Sequence, residues 1–131
     1  MILDTSAVIA ILADEAEGHH FREVISSADR VRISAAGYLE AAIVLDNRSA
    51  GPGLSPDLDL FVSWARASIE PISSAQARIA RRAHREYDRG SGHPARLNFG
   101  DCFSYALSKD TGEPLLFKGE DFSRTDVVPA I

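Results

Sequence analysis

Short apolar runs alternate with longer amphipathic stretches along the chain, and this alternation predicts its secondary structure. The apolar runs 1–3 and 115–117 are too short for helices and are interpreted as strands, the first of them buried. The segments 31–33 and 69–72, which each combine apolar with polar residues, are further strand candidates. Between them, apolar residues recur every three or four positions, which is typical of helices that bury one face. Strands that alternate with helices predict βαβ units around a short parallel sheet, and hence an α/β fold.

Residues that commonly cap helices precede four of the helical stretches: Thr5, Ser34, Ser73 or Ser74, and Asn98. We expect four residues to form the apolar side of the helix after Ser34: Leu39, Ala42, Ile43 and Leu45. Two glycines and two prolines mark 49–57 as a loop, and Val127-Val128 is interpreted as a last strand. The length of 131 residues suits a single domain over 1–131.

Four acidic residues lie near the ends of these predicted elements. Asp4 closes the first strand, and Glu40 lies about two turns into the helix after the second. Asp101 lies in the first turn after Asn98, and Asp121 follows the strand at 115–117. Each position has an ordinary explanation, such as a helix-dipole or turn residue, although a carboxylate that ends a buried strand is costly to desolvate. Because ligands bind beyond the carboxyl ends of parallel strands, we expect all four to face one pocket.

Carboxylates gathered in one pocket repel each other, and a divalent cation relieves the repulsion. A ligand set made only of oxygen suits Mg²⁺ or Mn²⁺. Two such ions about 4 Å apart can clamp a phosphodiester and activate a water molecule. The sequence has no cysteine or histidine spacing typical of zinc sites, and its one cysteine, Cys102, is interpreted as core filler.

The charge of the chain is −5, which argues against non-specific binding to nucleic acids, but it is unevenly distributed. Residues 76–97 contain six arginines and only two acids, a local excess of four positive charges. With a single cysteine, no apolar stretch near the roughly 20 residues of a membrane span, and no basic leader before Asp4, we expect a cytoplasmic protein.

Three segments resemble the motifs of PIN-domain ribonucleases, most closely the VapC toxins of bacterial type II toxin–antitoxin pairs. They are MILDTSAVIAIL, SAAGYLEAAIV and LNFGDCFSYALSKDTGEPLLFKGEDFSRTDV. The resemblance covers nearly the whole chain in the right order, and its last segment is the most specific. It implies a three-layer α/β/α sandwich that binds Mg²⁺ or Mn²⁺ and cleaves RNA, often structured RNA such as tRNA.

The resemblance also assigns roles to residues. It implies that Asp4, Glu40, Asp101 and Asp121 form the acidic quartet, joined in some relatives by a further acid that is Asp126 here. The hydroxyl groups of Thr5 or Ser6 and the amide of Asn98 match positions that support the quartet. RNA backbone contacts are expected from arginines of the basic stretch: Arg81, Arg82, Arg85, Arg89 and Arg96.

Partners follow from the same resemblance. It implies inhibition of translation, neutralisation by a VapB-type antitoxin, and a homodimer. Phe21, Phe61 and Trp64 are candidates for these protein contacts, although core packing explains such residues equally well.

The alternative is a magnesium-binding signalling domain of the receiver or phosphatase type. A receiver needs an aspartate that ends a middle strand, and neither 31–33 nor 69–72 ends in one. A haloacid-dehalogenase-type phosphatase needs a second aspartate two residues after Asp4, where the chain has Ser6.

Overall fold

A four-stranded parallel sheet forms the centre of the molecule. The computed structural model describes residues 1–48 and 54–131, without the side chain of Arg89. Within this part of the chain the strands are β1 (Ile2–Leu3), β2 (Val31–Ser34), β3 (Ala67–Glu70) and β4 (Leu115–Leu116), in the order β3-β2-β1-β4. The six α-helices of the same residues are α1 (Thr5–Leu12), α2 (Gly18–Ser26), α3 (Ala35–Asn47), α4 (Ser55–Trp64), α5 (Ser74–Tyr87) and α6 (Asp101–Thr111).

Helices cover both faces of the sheet, because successive side chains of a strand point to opposite faces. Leu3 and Leu116 pack into a core formed with α1, α2, α3 and α4. Ile2 and Leu115 pack on the other side, against residues of α5, α6 and the segment that follows β4. The predicted three-layer α/β/α sandwich around a parallel sheet is therefore confirmed.

The order of the strands reverses beside β1, and this reversal opens a crevice between the ends of β1 and β4. The chain places β2 and β3 on one side of β1 and then returns to place β4 on the other. Strand β1 pairs with β4 through Ile2–Leu115 and Leu3–Leu116, and the Asp4 amide donates to the Leu116 carbonyl. Where the order of parallel strands reverses, a crevice opens beyond their carboxyl ends. Asp4 and Lys118 lie at the two sides of this crevice.

Two predicted helix starts differ in detail from the structure. Asp4, and not Thr5, caps α1, since its carboxylate accepts a hydrogen bond from the Ser6 amide. Asn98 makes the predicted capping hydrogen bond to the last helix, because its side-chain oxygen accepts a hydrogen bond from the Asp101 amide. The regular helix, however, begins only at Asp101. The Asp101 carboxylate accepts from the Asn98 amide in return, which completes a reciprocal capping box.

Other sequence predictions were wrong or shifted. Leu39 and Ile43 were expected to face the core, yet they are 59% and 52% exposed, because α3 buries its other side through Ala41 and Leu45. Val127-Val128 forms no regular strand, and this region only bridges Leu115 at Pro129. The third strand begins two residues earlier than predicted.

Part of the predicted loop 49–57 lies outside the described residues, and Ser55 already begins α4. None of the helices described has the length and apolar character needed to cross a membrane.

Candidate active site

An acidic cleft of about 430 Å³ opens at the carboxyl edge of the sheet, where the strand order reverses. Its lining includes six residues that the sequence had singled out: Asp4, Thr5, Ser6, Glu40, Asn98 and Asp101. They come from the end of β1, the middle of α3 and the start of α6, which are far apart in the sequence. Folding therefore brings together three of the four predicted acids, with the three polar residues expected to support them.

Asp4 is fixed at the base of the cleft. Its side chain is buried, and Oδ2 accepts hydrogen bonds from the Ser6 amide at 2.9 Å and the Ser6 hydroxyl at 2.6 Å. The Ser6 hydroxyl in turn accepts from the Lys118 amide at 3.0 Å, which ties the end of β4 to the start of α1. Together these hydrogen bonds hold the Asp4 carboxylate in one orientation.

Glu40 reaches the cleft from α3. Its Oε2 accepts a hydrogen bond of 2.7 Å from the Thr5 hydroxyl, which also contacts the Gly37 carbonyl. The Glu40 carboxylate packs so closely over Gly100 that a Cβ atom there would overlap it. The absence of a side chain at Gly100 therefore gives this carboxylate its place beside Asp101.

We expect Gly100→Ala to reduce catalysis without unfolding the protein. The backbone at Gly100 is helical and accepts alanine, but the added methyl group must displace the Glu40 carboxylate. Displacing a group that supports a functional site typically costs about 10- to 100-fold in activity. Activity and thermal unfolding of the purified variant measure the two effects.

Gly37→Ala is the matched control, since a Cβ atom at that position of α3 meets only ordinary van der Waals contacts of 3.5 Å or more. Equal activities for the two alanine variants would show that the position of Glu40 has no catalytic importance.

Asp101 has the most strongly shifted carboxyl pKa among the acids that line the cleft. The pKa of its carboxyl group is raised to about 7, mainly by burial and in addition by the nearby charges of Asp4, Asp121 and Glu40, while the hydrogen bond from the Asn98 amide opposes the shift. Strongly raised carboxyl pKa values are common in catalytic sites. Asp101 is therefore both buried and close to other acids.

Asp121 and Asp126 occupy different surroundings from the other acids. Asp121 precedes a short 3₁₀ turn over Phe122–Arg124 and does not line the cleft, although its charge acts on Asp101. Asp126 accepts hydrogen bonds from the Tyr105 hydroxyl at 2.6 Å and the Lys109 ammonium at 3.0 Å. These bonds lower the pKa of Asp126 and hold it in a separate pocket beside α5 and α6.

Sequence reasoning missed three charged residues of the cleft. Glu15, Arg48 and Lys118 line it together with the predicted acids. Glu15 Oε1 accepts from Arg48 and its Oε2 accepts from Lys118, both at 2.8 Å, and these two hydrogen bonds lower the pKa of Glu15. Lys118 also pairs with Glu17 at 2.9 Å. The position of Lys118 directly after the apolar run 115–117 could have indicated that it lies at the cleft. No comparable feature of the sequence marks Glu15 or Arg48.

The arginines of the basic stretch are mostly on α5. Arg81, Arg82 and Arg85 are exposed on this helix, and Arg96 is exposed in the loop that leads to Asn98. The predicted contact at Arg89 lies outside the described side chains. A positive surface therefore adjoins α6, the helix that supplies Asp101.

The residues of the cleft fit a hard divalent cation in their chemistry. Their acidic donors are oxygen atoms alone, and hard cations prefer such ligands. Among the described residues, no three histidine, cysteine, aspartate or glutamate side chains converge closely enough to hold a metal ion by themselves. Water molecules would have to complete the coordination of a divalent cation here, as they do where Mg²⁺ binds only one or two carboxylates.

Cys102 contributes no second chemistry to the site. Its thiol is buried beside Ala80 and Ala106, and burial raises its pKa to about 11. Such a thiol remains protonated and acts as a small apolar side chain, as the sequence predicted.

Comparison with known proteins places this geometry in a family. The sequence profile of the PIN domain matches residues 1–128. The chain is 51% identical over 131 residues to "Ribonuclease VapC28" of Mycobacterium tuberculosis, covering 100% of this chain and 98% of that protein. It is 44% identical over 130 residues to "Ribonuclease VapC42" of the same species, covering 99% and 98% of the two chains.

Solved structures share the fold at lower sequence identity. The crystal structure of Mycobacterium tuberculosis VapC20, described as a sarcin-ricin loop cleaving toxin, superposes with a TM-score of 0.77 at 18% identity, over 97% of this chain and 95% of that one. A toxin–antitoxin complex from Klebsiella pneumoniae gives a TM-score of 0.72 at 17% identity, over 99% and 97%. At these identities the likeness establishes the arrangement of sheet and helices.

Proposed function

Since the chain belongs to the PIN domain family, we propose that it is an endoribonuclease toxin that hydrolyses RNA phosphodiester bonds at the acidic cleft. Relatives named as VapC ribonucleases, 44% and 51% identical over nearly their full length, support this activity. One observation assigns the activity to particular residues: Asp4, Glu40 and Asp101 line the same cleft, at the point where the strand order reverses. The resulting loss of intact RNA would inhibit translation.

The proposed cofactor is Mg²⁺ or Mn²⁺. Asp4 and Asp101 would hold the principal ion, with Glu40 next to the start of α6 and Asp121 close enough for its charge to act on Asp101. When bound, such a cation supplies a water molecule of lowered pKa and neutralises charge on the phosphate. Asp126 is left out of this proposed set, because Tyr105 and Lys109 hold its carboxylate in another pocket.

The chain itself contributes positioning. The Ser6 hydroxyl and amide fix Asp4, the Thr5 hydroxyl fixes Glu40, and the Asn98 amide fixes Asp101. A carboxylate already held in place loses little freedom when the substrate arrives, which lowers the barrier to reaction.

Mapping of RNA ends tests the proposed reaction. Purified protein is incubated with total bacterial RNA and Mn²⁺, and the new ends are sequenced beside an Asp101→Asn control. We expect a small number of discrete cuts that carry 5′-phosphate and 3′-hydroxyl groups and depend on Asp101. Intact RNA after incubation with folded wild-type protein, in Mg²⁺ or in Mn²⁺, would refute the proposal.

We further propose that the arginines of α5 hold the RNA backbone. Arg81, Arg82 and Arg85 are exposed and adjoin the helix that carries Asp101. Binding by phosphate contacts releases counterions, so the affinity falls as the salt concentration rises.

Replacing these three arginines by alanine is expected to weaken RNA binding and flatten its salt dependence. The slope of log affinity against log salt should fall by roughly 2 to 3, because each contact contributes about 0.7 to 0.9. Filter binding between 50 and 200 mM salt measures it. A control variant with Arg22, Arg30 and Arg66 replaced loses the same charge from other exposed sites. If the two variants gave the same slope, α5 would not be part of the RNA-binding surface.

An antitoxin of the VapB type is the proposed protein partner, and a homodimer the proposed assembly. Of the predicted contact residues, Phe21 and Phe61 are buried in the core, whereas Trp64 is exposed. Leu39 and Ile43 on α3 and Leu60 on α4 are exposed as well. These apolar side chains offer a surface that a partner helix can cover.

The receiver-domain alternative does not fit the strand order of the molecule. A receiver domain has the doubly wound order 2-1-3-4-5, whereas β1 here lies between β2 and β4. The PIN family match over 1–128 supports the nuclease and a single domain instead.

A further inference from the structure

An aromatic groove lies beside the acidic cleft, on the other side of the first turn of α6. It has a volume of about 470 Å³ and is lined mainly by apolar atoms. Phe99 and Phe103 form one wall, Ala80 lies at the base, and Arg81, His84 and Arg85 of α5 form the rim. All three rim residues are exposed, so the guanidinium groups of Arg81 and Arg85 can reach whatever enters the groove.

Phe99 is the most conspicuous feature of this groove. Its side chain is 74% exposed, the highest value among the exposed large apolar residues described. The ring stands edge-on to Phe103, with 5.0 Å between centroids and an angle of 90°. This contact orients the ring of Phe99 while leaving most of its surface in water, which is unfavourable unless a ligand covers it.

The groove and the cleft share one short segment of chain. Asn98 and Asp101 line the cleft, while Phe99 and Cys102 line the groove. Because residues that alternate along 98–102 line the two depressions, the groove and the cleft adjoin each other at the start of α6.

We propose that the aromatic groove binds an unpaired nucleobase of the RNA, next to the phosphate that is cleaved. The inference rests on the proposed ribonuclease function and adds the substrate class, an unstacked nucleotide. An exposed aromatic ring offers a stacking surface to any base, and arginines at the rim offer charge to the flanking phosphates. An apolar wall combined with a cationic rim matches a nucleotide, which is a flat ring attached to an anion.

A second copy of the chain matches this groove less well. A two-fold contact centred here would bring Arg81 and Arg85 of one copy against the same arginines of the other, and facing like charges are unfavourable. A protein partner therefore becomes an alternative outcome of the test.

Fluorescence of 2-aminopurine tests the inference, because its emission falls when the base stacks on an aromatic ring. The probe is a set of unstructured 12-nucleotide RNAs, each with one 2-aminopurine at a different position. They are titrated with Asp4→Asn protein in Mg²⁺, which keeps the RNA intact and removes one repelling charge from the cleft. Gel electrophoresis afterwards verifies that the RNA was not cut.

We expect quenching at one or two positions of the RNA. Adding Phe99→Ala should abolish the quenching and weaken binding about 5- to 100-fold. Phe99→Trp should retain both, and Phe99→Leu, which keeps an apolar side chain without the aromatic ring, should lose the quenching. Val128→Ala, which shortens another exposed apolar side chain far from any proposed contact in sequence, is the matched control and should change neither.

The two proposals fail in different ways. RNA that is bound and cleaved equally by wild-type protein and the Phe99→Ala variant, with unchanged emission, overturns the base site and leaves the ribonuclease intact. A Phe99→Ala variant that alters only the sedimentation of the protein overturns it in favour of an interface between copies. Failure of wild-type protein to bind or cleave RNA overturns both.

Discussion

Asp4→Asn is expected to abolish RNA cleavage, with a loss on the order of a thousandfold or more, in a protein that remains folded. Removal of one preorganised charge-stabilising group from an active site typically costs about 10²- to 10³-fold, and Asp4 is proposed both to hold the cation and to support this charge balance. The fold should survive, because asparagine caps helices as well as aspartate and can still accept the hydrogen bonds from Ser6. Single-turnover cleavage and thermal unfolding measure the two properties.

Asp126→Asn is the matched control for this substitution. It makes the same chemical change at a carboxylate that contacts Tyr105 and Lys109 outside the cleft. We expect nearly full cleavage activity from it, with a modest loss of stability. Full activity in folded Asp4→Asn protein would show that the cleft is not the active site. An inactive Asp126→Asn protein would show that Asp126 belongs to the active site after all.

The second large effect is on the pH dependence of stability without metal. Asp101 has a pKa of about 7 in the folded protein, above its ordinary value of 3.8. Between these two values the folded state binds more protons than the unfolded state, so stability falls as the pH rises from about 4 to about 7. A shift of this size corresponds to at most about 4 kcal/mol, reduced by the coupling of Asp101 to its acidic neighbours.

Chemical denaturation in EDTA at pH 5 and pH 8 measures this effect. In the wild-type protein the free energy of unfolding should be higher at pH 5 than at pH 8. This difference should be smaller in Asp101→Asn, which cannot titrate at this position. Added Mg²⁺ should reverse the trend, since a cation competes with the proton and stabilises the folded protein more at pH 8 than at pH 5. Identical pH profiles for the two proteins would show that Asp101 is not held in an acidic, buried environment.

The sequence predicted the fold well because its signals are local. Runs such as 115–117 are too short and too apolar for an exposed helix, and Gly112 ends α6 in the left-handed conformation that glycine favours. Predictions failed where packing decides the outcome. The periodicity of α3 contains two apolar stripes, and only the tertiary structure shows that Ala41 and Leu45 are buried while Leu39 and Ile43 are exposed.

The candidate site was predictable in part for the same reason. An acid that directly follows a buried strand, as Asp4 does, is visible in the sequence because the position is unusual. Asp101 and Asn98 were visible through the three-residue spacing of a helix cap. Arg48 and Glu15 could not be found in this way, because their place in the cleft depends on how α3 and the end of α1 lie against the sheet.

The sequence by itself determined the kinds of elements, their order, and the presence of acidic side chains at strand and helix ends. These follow from periodicity and capping, which involve residues a few positions apart. Only the tertiary structure decided which acids share a cleft, that Asp126 belongs to another pocket, and that Phe99 remains uncovered beside Asp101. Those outcomes depend on strand order and on the packing of helices across a sheet, where small rotations move a side chain from one surface to another.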